Sequence, residues 1–176
     1  MAHRLLVVVI LTTLGTGNCL AQGAPTFKLF SSKAGRFSVL MPATPSEQKQ
    51  EIATDAGPVQ SVMFIAAGAN NSAFIAAYAD YPNAARDAET SAKVVSGARD
   101  GILRNTKGKL INDKEISLDK SAGRAFLIEQ DGGQFFNVRV YLVGKRLYQL
   151  IVVGPKAEAT GADADKYLAS FKLAAE

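Results

Sequence analysis

The sequence predicts an α+β fold, an antiparallel β-sheet flanked by helices. Three observations carry this. Apolar and polar residues alternate at period two in segments bounded by Gly, Asn and Pro turns, one long central segment switches to a spacing of three and four, and the C-terminal segment repeats that helical spacing. Strands, helix, strands, helix is the order of an α+β domain rather than of alternating βαβ units.

A first short apolar strand is expected over Thr26 to Phe30. A turn at Lys33, Ala34 and Gly35 leads to a second strand, Arg36 to Met41, in which Phe37, Val39 and Met41 share one face. Pro42 and Pro45 bracket an irregular crossing, because proline cannot donate to a ladder. Glu47 to Ala53 is polar enough for an exposed edge strand, and the Ala56, Gly57, Pro58 turn brings the chain back through Val59 to Ala66. Gly68 to Ser72 is a loop whose Asn and Gly residues tolerate positive φ, closing a hairpin onto Ala73 to Asp80.

After Tyr81 and Pro82 the period changes. Asn83 can cap a helix to Asn105 whose stripe is Ala85, Ala88, Ala92, Val95, Ala98 and Ile102, with Arg86, Asp87, Glu89, Lys93 and Arg99 on the other side. Gly108 ends it. Four strands follow: Leu110 to Leu118, Arg124 to Gln130, Gln134 to Val143 and Arg146 to Val153. The Gly144, Lys145 pair suits a tight hairpin. Leu147 to Val153 is apolar at nearly every position, the mark of a central strand covered on both faces. A last helix has Thr160 as N-cap, Asp163 in the capping-box position, and Tyr167, Leu168 and Phe171 as its packing stripe.

The domain reading is a signal peptide over residues 1–21 and a single α+β domain over 22–176. The basic His3 and Arg4, the apolar run Leu5 to Leu14 and the small, polar Gly15 to Asn18 follow the layout of a secretory leader, with cleavage between Ala21 and Gln22. The apolar run is about ten residues, where a membrane-spanning helix needs roughly twenty, so no integral membrane segment is expected after cleavage. Lipidation at Cys19 fits less well, because Asn18 stands where a lipoprotein signal has a small residue. The protein is thus expected to be exported, periplasmic or extracellular.

Cys19 and His3 are the sole cysteine and histidine of the chain. Their loss with the leader removes any disulfide, the usual zinc ligands, the thiolate nucleophile and the histidine base of serine hydrolases. No catalytic residue, cofactor or metal ligand is therefore assigned. Loss of Arg4 leaves 19 of the 20 basic residues against 16 acidic ones, a net charge of +3. So mild an excess does not indicate a nucleic-acid partner.

The segment Gly35 to Pro45, an F-S-V strand running into a P-x-x-P step, resembles the opening of many uncharacterised exported bacterial proteins. Tyr78, Asp80, Tyr81 and Pro82, then Val143 to Leu150, then Tyr167 to Leu173 agree in order. The arrangement also resembles the α/β/α sandwich of the PsbP-like and DcrB-like proteins. That resemblance implies a non-catalytic extracytoplasmic domain that contacts macromolecules or small ligands, and it supplies no catalytic residue.

Several residue groups invite a chemical reading. Ser46 to Lys49 and Ser117 to Lys120 match S-x-x-K, but that chemistry needs a helix N-terminus, whereas Ser46 follows Pro45 at the edge of a polar strand and Ser117 ends one. Asp80, Asp113, Glu115, Asp119, Glu129 and Asp131 are non-helical carboxylates without a distinctive pairing. Asp163 and Asp165 lack the glycine and glutamate of a calcium loop. The basic run Arg99, Arg104, Lys107, Lys109, Lys114, Lys120 and Arg124 is interleaved with Asp100, Asp113, Glu115 and Asp119, which favours a solvated surface over an anionic partner. Tyr78, Asp80, Tyr81, Tyr141 and Tyr148 form the candidate contact surface, since tyrosine joins a large apolar ring to a polar tip. The expected function is a non-catalytic binding domain, a monomer meeting an unknown protein or envelope component. The alternative is a carrier of a small apolar ligand held between the sheet and the long helix.

Overall fold

The computed structural model describes residues 26–54, 57–81 and 88–174. The expected leader with its Ala21 and Gln22 junction, the expected Ala56 turn residue and the expected Asn83 helix cap lie outside them. In chain order the elements are β1 (Lys28–Ser32), β2 (Phe37–Met41), β3 (Ser46–Thr54), β4 (Gly57–Ala67), β5 (Ala73–Asp80), α1 (Ala88–Thr106), β6 (Lys109–Leu118), β7 (Ser121–Gln130), β8 (Gln134–Val143), β9 (Arg146–Pro155), α2 (Lys156–Ala159), α3 (Ala162–Ala169) and β10 (Lys172–Leu173).

Seven strands pair antiparallel in the order β3-β4-β5-β9-β8-β7-β6. The strand expected to be central, β9, occupies the middle of this sheet, and polar β3 is an edge, where Glu47 and Lys49 pair with each other in solvent. Charged side chains on an edge discourage pairing with another chain. The loop residues Asn70 and Asn71 adopt φ of 49° and 57°, and Gly144 adopts 57° in the β8–β9 turn. Asparagine and glycine are the residues that enter this left-handed region at least cost.

The two faces of the large sheet are covered differently. On one, α1 sets Val95 against Phe126, Ile128, Val138 and Val140 of β7 and β8. On the other lies a three-stranded sheet, β1-β2-β10, together with α3, and between the layers Phe37, Phe64, Phe74, Tyr167 and Phe171 form the larger core cluster. The small sheet was not foreseen as separate: β10 is two residues long, too short to show a period, and takes its place by pairing with Ser38 and Phe37.

Two local expectations are corrected. The stripe of α1 is rotated: Ala92 is exposed, while Val94 and Leu103 join Val95, Ala98 and Ile102 against the sheet. Larger side chains claim the buried face, because they remove more apolar area from water than alanine does. Thr160 does not cap the last helix. It closes the one-turn α2, its hydroxyl donating to the Lys156 carbonyl at 2.8 Å, and α3 begins from Gly161 without a side-chain cap.

The stripe of α3 is as expected, with Tyr167, Leu168 and Phe171 buried. Within it the Tyr167 hydroxyl is fully enclosed and has no hydrogen-bond partner among the described residues, and burial pushes its pKa well above the phenol range. An unmatched buried hydroxyl costs about 1–3 kcal/mol. Tyr167→Phe is therefore expected to leave stability unchanged or to raise the urea midpoint, and a lowered midpoint overturns this account.

Candidate functional site

The five residues singled out in the sequence are sorted by the strand register. Tyr78, Tyr148 and Tyr141 are cross-strand neighbours on β5, β9 and β8, all directed at the small sheet. Tyr148 is 3% exposed and Tyr141 5%. The Tyr148 hydroxyl donates to the Gly35 carbonyl at 2.8 Å, and the Tyr141 ring stacks on Phe171 with centroids 6.0 Å apart. This corrects the expected surface: these two rings are core, because β2, α3 and β10 lie over them. Gly123 faces Tyr141 across β7 and β8, and a Cβ there would meet the ring at 2.5 Å. Tyr81 lies with the α1-side cluster instead, its amide donating to the Lys145 carbonyl at 2.7 Å, and burial raises its pKa.

Tyr78 and Asp80 meet a residue the sequence reading did not single out. Asp80 and Arg146 are register partners, and the carboxylate accepts two hydrogen bonds from the guanidinium, from Nε at 2.6 Å and from Nη2 at 2.7 Å. The same guanidinium donates to the Ala34 carbonyl at 2.7 Å and lies 4.6 Å from the Tyr78 ring centroid. Arg146 thus fastens the β1–β2 turn to the end of the large sheet, and its planar fork is what permits this geometry. The Arg146 hydrogen bond holds the Asp80 carboxyl below the usual carboxylate range, and Asp80 in turn holds Arg146 more firmly protonated. Burial raises the Tyr148 phenol.

Beside this clamp is a cleft of about 520 Å³ between the β1–β2 turn, the β8–β9 turn and the end of β10. Arg36, Lys145 and Arg146 line it with Asp80, and Tyr148, Val143 and Leu173 supply apolar wall. The basic lining escaped the sequence reading because Arg36 and Lys145 lie on turns far apart along the chain. The one available signal was the Gly144, Lys145, Arg146 turn itself.

Two members of the basic run of the sequence are held in ion pairs at the seam between α1 and the sheet. Arg99 and Arg124 both bond Asp113, at 2.5 and 2.6 Å, and Arg99 also pairs with Asp100. Ser46 and Lys49 both lie on β3, where the Ser46 hydroxyl donates to the Ile65 carbonyl; positions three apart on a strand point to opposite faces. Among the described residues no three His, Cys, Asp or Glu side chains are grouped to hold a metal, and no helix is long and apolar enough to cross a membrane.

No family model matches the chain, and none of the curated proteins matches it. Solved structures do. The solution structure of the cyanobacterial PsbP protein, CyanoP, from Synechocystis superposes with a TM-score of 0.60 at 12% identity, over 89% of this chain and 98% of that one. A Pseudomonas aeruginosa protein of unknown function gives a TM-score of 0.35 at 12% identity, over 77% of this chain and 86% of its own. A Bacteroides thetaiotaomicron structure gives 0.39 at 14%, over 85% of this chain and 49% of its own. The large antiparallel sheet between α1 and the layer of α3 with the small sheet is a PsbP-like fold.

Proposed function

We propose that the chain is a non-catalytic, extracytoplasmic domain that binds a protein or envelope component through one face of its large sheet. The observation that carries this is the half of the α1-side face away from the helix. α1 packs on β7 and β8, whereas Ile65 and Ile75, register partners on β4 and β5, belong with Met63 and Val153 to none of the described core clusters and stay half-buried. Adjacent apolar side chains of this kind suit a contact surface. The leader-like run from Leu5 to Leu14 supports export, and loss of Cys19 and His3 with it supports a role without catalysis. The carrier reading has less support, because Val95, Ala98 and Ile102 of α1 pack directly on the sheet.

The test compares the protein with an Ile65→Lys, Ile75→Lys double variant as bait in envelope extract, after confirming equal melting temperatures. The wild type is expected to recover a specific partner, and the variant to recover it at least about tenfold less well, since two apolar anchors contribute more than about 1.4 kcal/mol. Equal recovery by both, or recovery of nothing across several extraction conditions, sinks the reading.

A further inference from the structure

The fold separates the basic run from the carboxylates that offset it in sequence. Asp100 and Asp113 are taken up by Arg99 and Arg124 at the seam between α1 and the sheet, and Glu115 lies 3.9 Å from Arg124. Asp119 and Lys120 share the β6–β7 turn and offset each other. The remaining members, Arg104, Lys107, Lys109 and Lys114, are exposed and form no ion pair among the described residues. They run from the last turn of α1 onto β6, an edge of the large sheet. Against them stand Glu129, the register partner of Lys109, and Asp131 in the turn beyond it. The carboxylates outside the described residues, Asp55, Asp87 and Glu176, follow β3, precede α1 and follow β10 in the chain, so none adjoins this corner in sequence.

Between Lys109 and Lys114 stands Ile111, the bulged residue of β6, 44% exposed. Protection of a sheet edge explains part of this, since lysines and a bulge both discourage strand pairing. It does not explain Arg104 and Lys107, which stand at the helix end where there is no ladder to protect, nor an exposed isoleucine, which invites association. The macrodipole favours cations at a helix C-terminus, yet like charges gathered around an apolar side chain repel one another until an anionic surface meets them. We infer that this corner of α1 and β6 is a peripheral contact for an anionic lipid surface, with the four cations at the phosphates and Ile111 at the edge of the acyl layer. Basic side chains set around an apolar one are what interfacial binding uses. The bulge and the lysines work against an acidic peptide that adds as a strand, which favours the lipid over it. β9, β8 and β7 separate this edge from the Ile65–Ile75 surface, so either can fail without the other.

Co-sedimentation with vesicles tests this, comparing phosphatidylglycerol mixed into phosphatidylcholine with phosphatidylcholine alone. Stronger binding to the first is expected, falling away in about 0.5 M salt. Each basic residue at an anionic surface is worth about fivefold in affinity. A Lys107→Gln, Lys114→Gln double variant with an unchanged melting temperature is therefore expected to bind at least about tenfold less well. Lys28→Gln with Lys33→Gln makes the same change of net charge at exposed positions of β1 and the β1–β2 turn, and is expected to bind as the wild type does. Ile111→Ser is expected to weaken binding about threefold or more. Equal binding to the two kinds of vesicle, equal losses in the two lysine variants, or unchanged binding by Ile111→Ser overturns the proposal. So does binding of soluble polyglutamate without binding of vesicles, which makes the partner an acidic chain.

Discussion

Phe37→Ala is expected to lower the unfolding free energy by about 3–5 kcal/mol, the range for removing a fully buried phenyl ring. Phe37 is 1% exposed on β2, and five aromatic rings lie within 6.5 Å of its centroid: Phe30, Phe64, Tyr78, Tyr148 and Phe171. Those rings come from β1, β4, β5, β9 and the segment between α3 and β10, so this one side chain joins both sheets and the C-terminal layer. The cavity cannot collapse by moving one neighbour, because each belongs to a different segment of the chain. Phe37→Leu keeps most of the volume and is expected to recover more than half of the loss. Guanidinium unfolding measures both, and a loss below about 1 kcal/mol for the alanine variant means that the small sheet is not docked as described.

Asp113→Asn is expected to cost about 1.5–3 kcal/mol, the range for a hydrogen bond to a charged group. The Asp113 carboxylate, 15% exposed, accepts from Arg99 on α1 and Arg124 on β7, and Arg124 also donates to Ser96 on α1. An amide leaves two guanidinium groups facing a neutral partner and loosens the helix from the sheet. Partial exposure keeps the loss below that of a fully buried pair. The pH dependence has a definite sign. Arg124 and Arg99 lower the folded pKa of Asp113 beneath its unfolded value of about 3.9. Its stabilisation is therefore complete above that value and is lost as pH falls through the folded pKa. Wild type and variant are expected to differ at pH 7 and to converge in acid; a gap that is constant from pH 7 to pH 2 contradicts the ion-pair account.

This network also marks a limit of reading from sequence. Alternation along β6 would place Leu110, Asn112 and Lys114 on one face. The register instead slips between Leu110 and Asn112, where Ile111 is the extra residue and stands 44% exposed. One inserted residue reverses every later side chain, so Asp113 comes to the α1 face and meets Arg99. Nothing in the local pattern marks that slip. Where the pattern was long and bounded by turns, as in β5, β8 and β9, the strands and the central place of β9 were legible. The candidate site was legible in part: Tyr78, Asp80 and Tyr148 do assemble, because β5 and β9 are neighbours. The burial of Tyr141 and Tyr148 was not, since it depends on a layer built from β2, α3 and a two-residue strand.

That layer has a consequence for the order in which the molecule can be completed. The small sheet joins β1 and β2 to β10, made much later along the chain, and Ala174 beyond β10 donates to the Arg36 carbonyl. Contacts of such sequence separation carry the largest loop-closure cost and form late. Until that segment has been made, Tyr141 and Tyr148 lack the part of their cover that Phe171 supplies, and β10 acts as the latch that closes the layer over them.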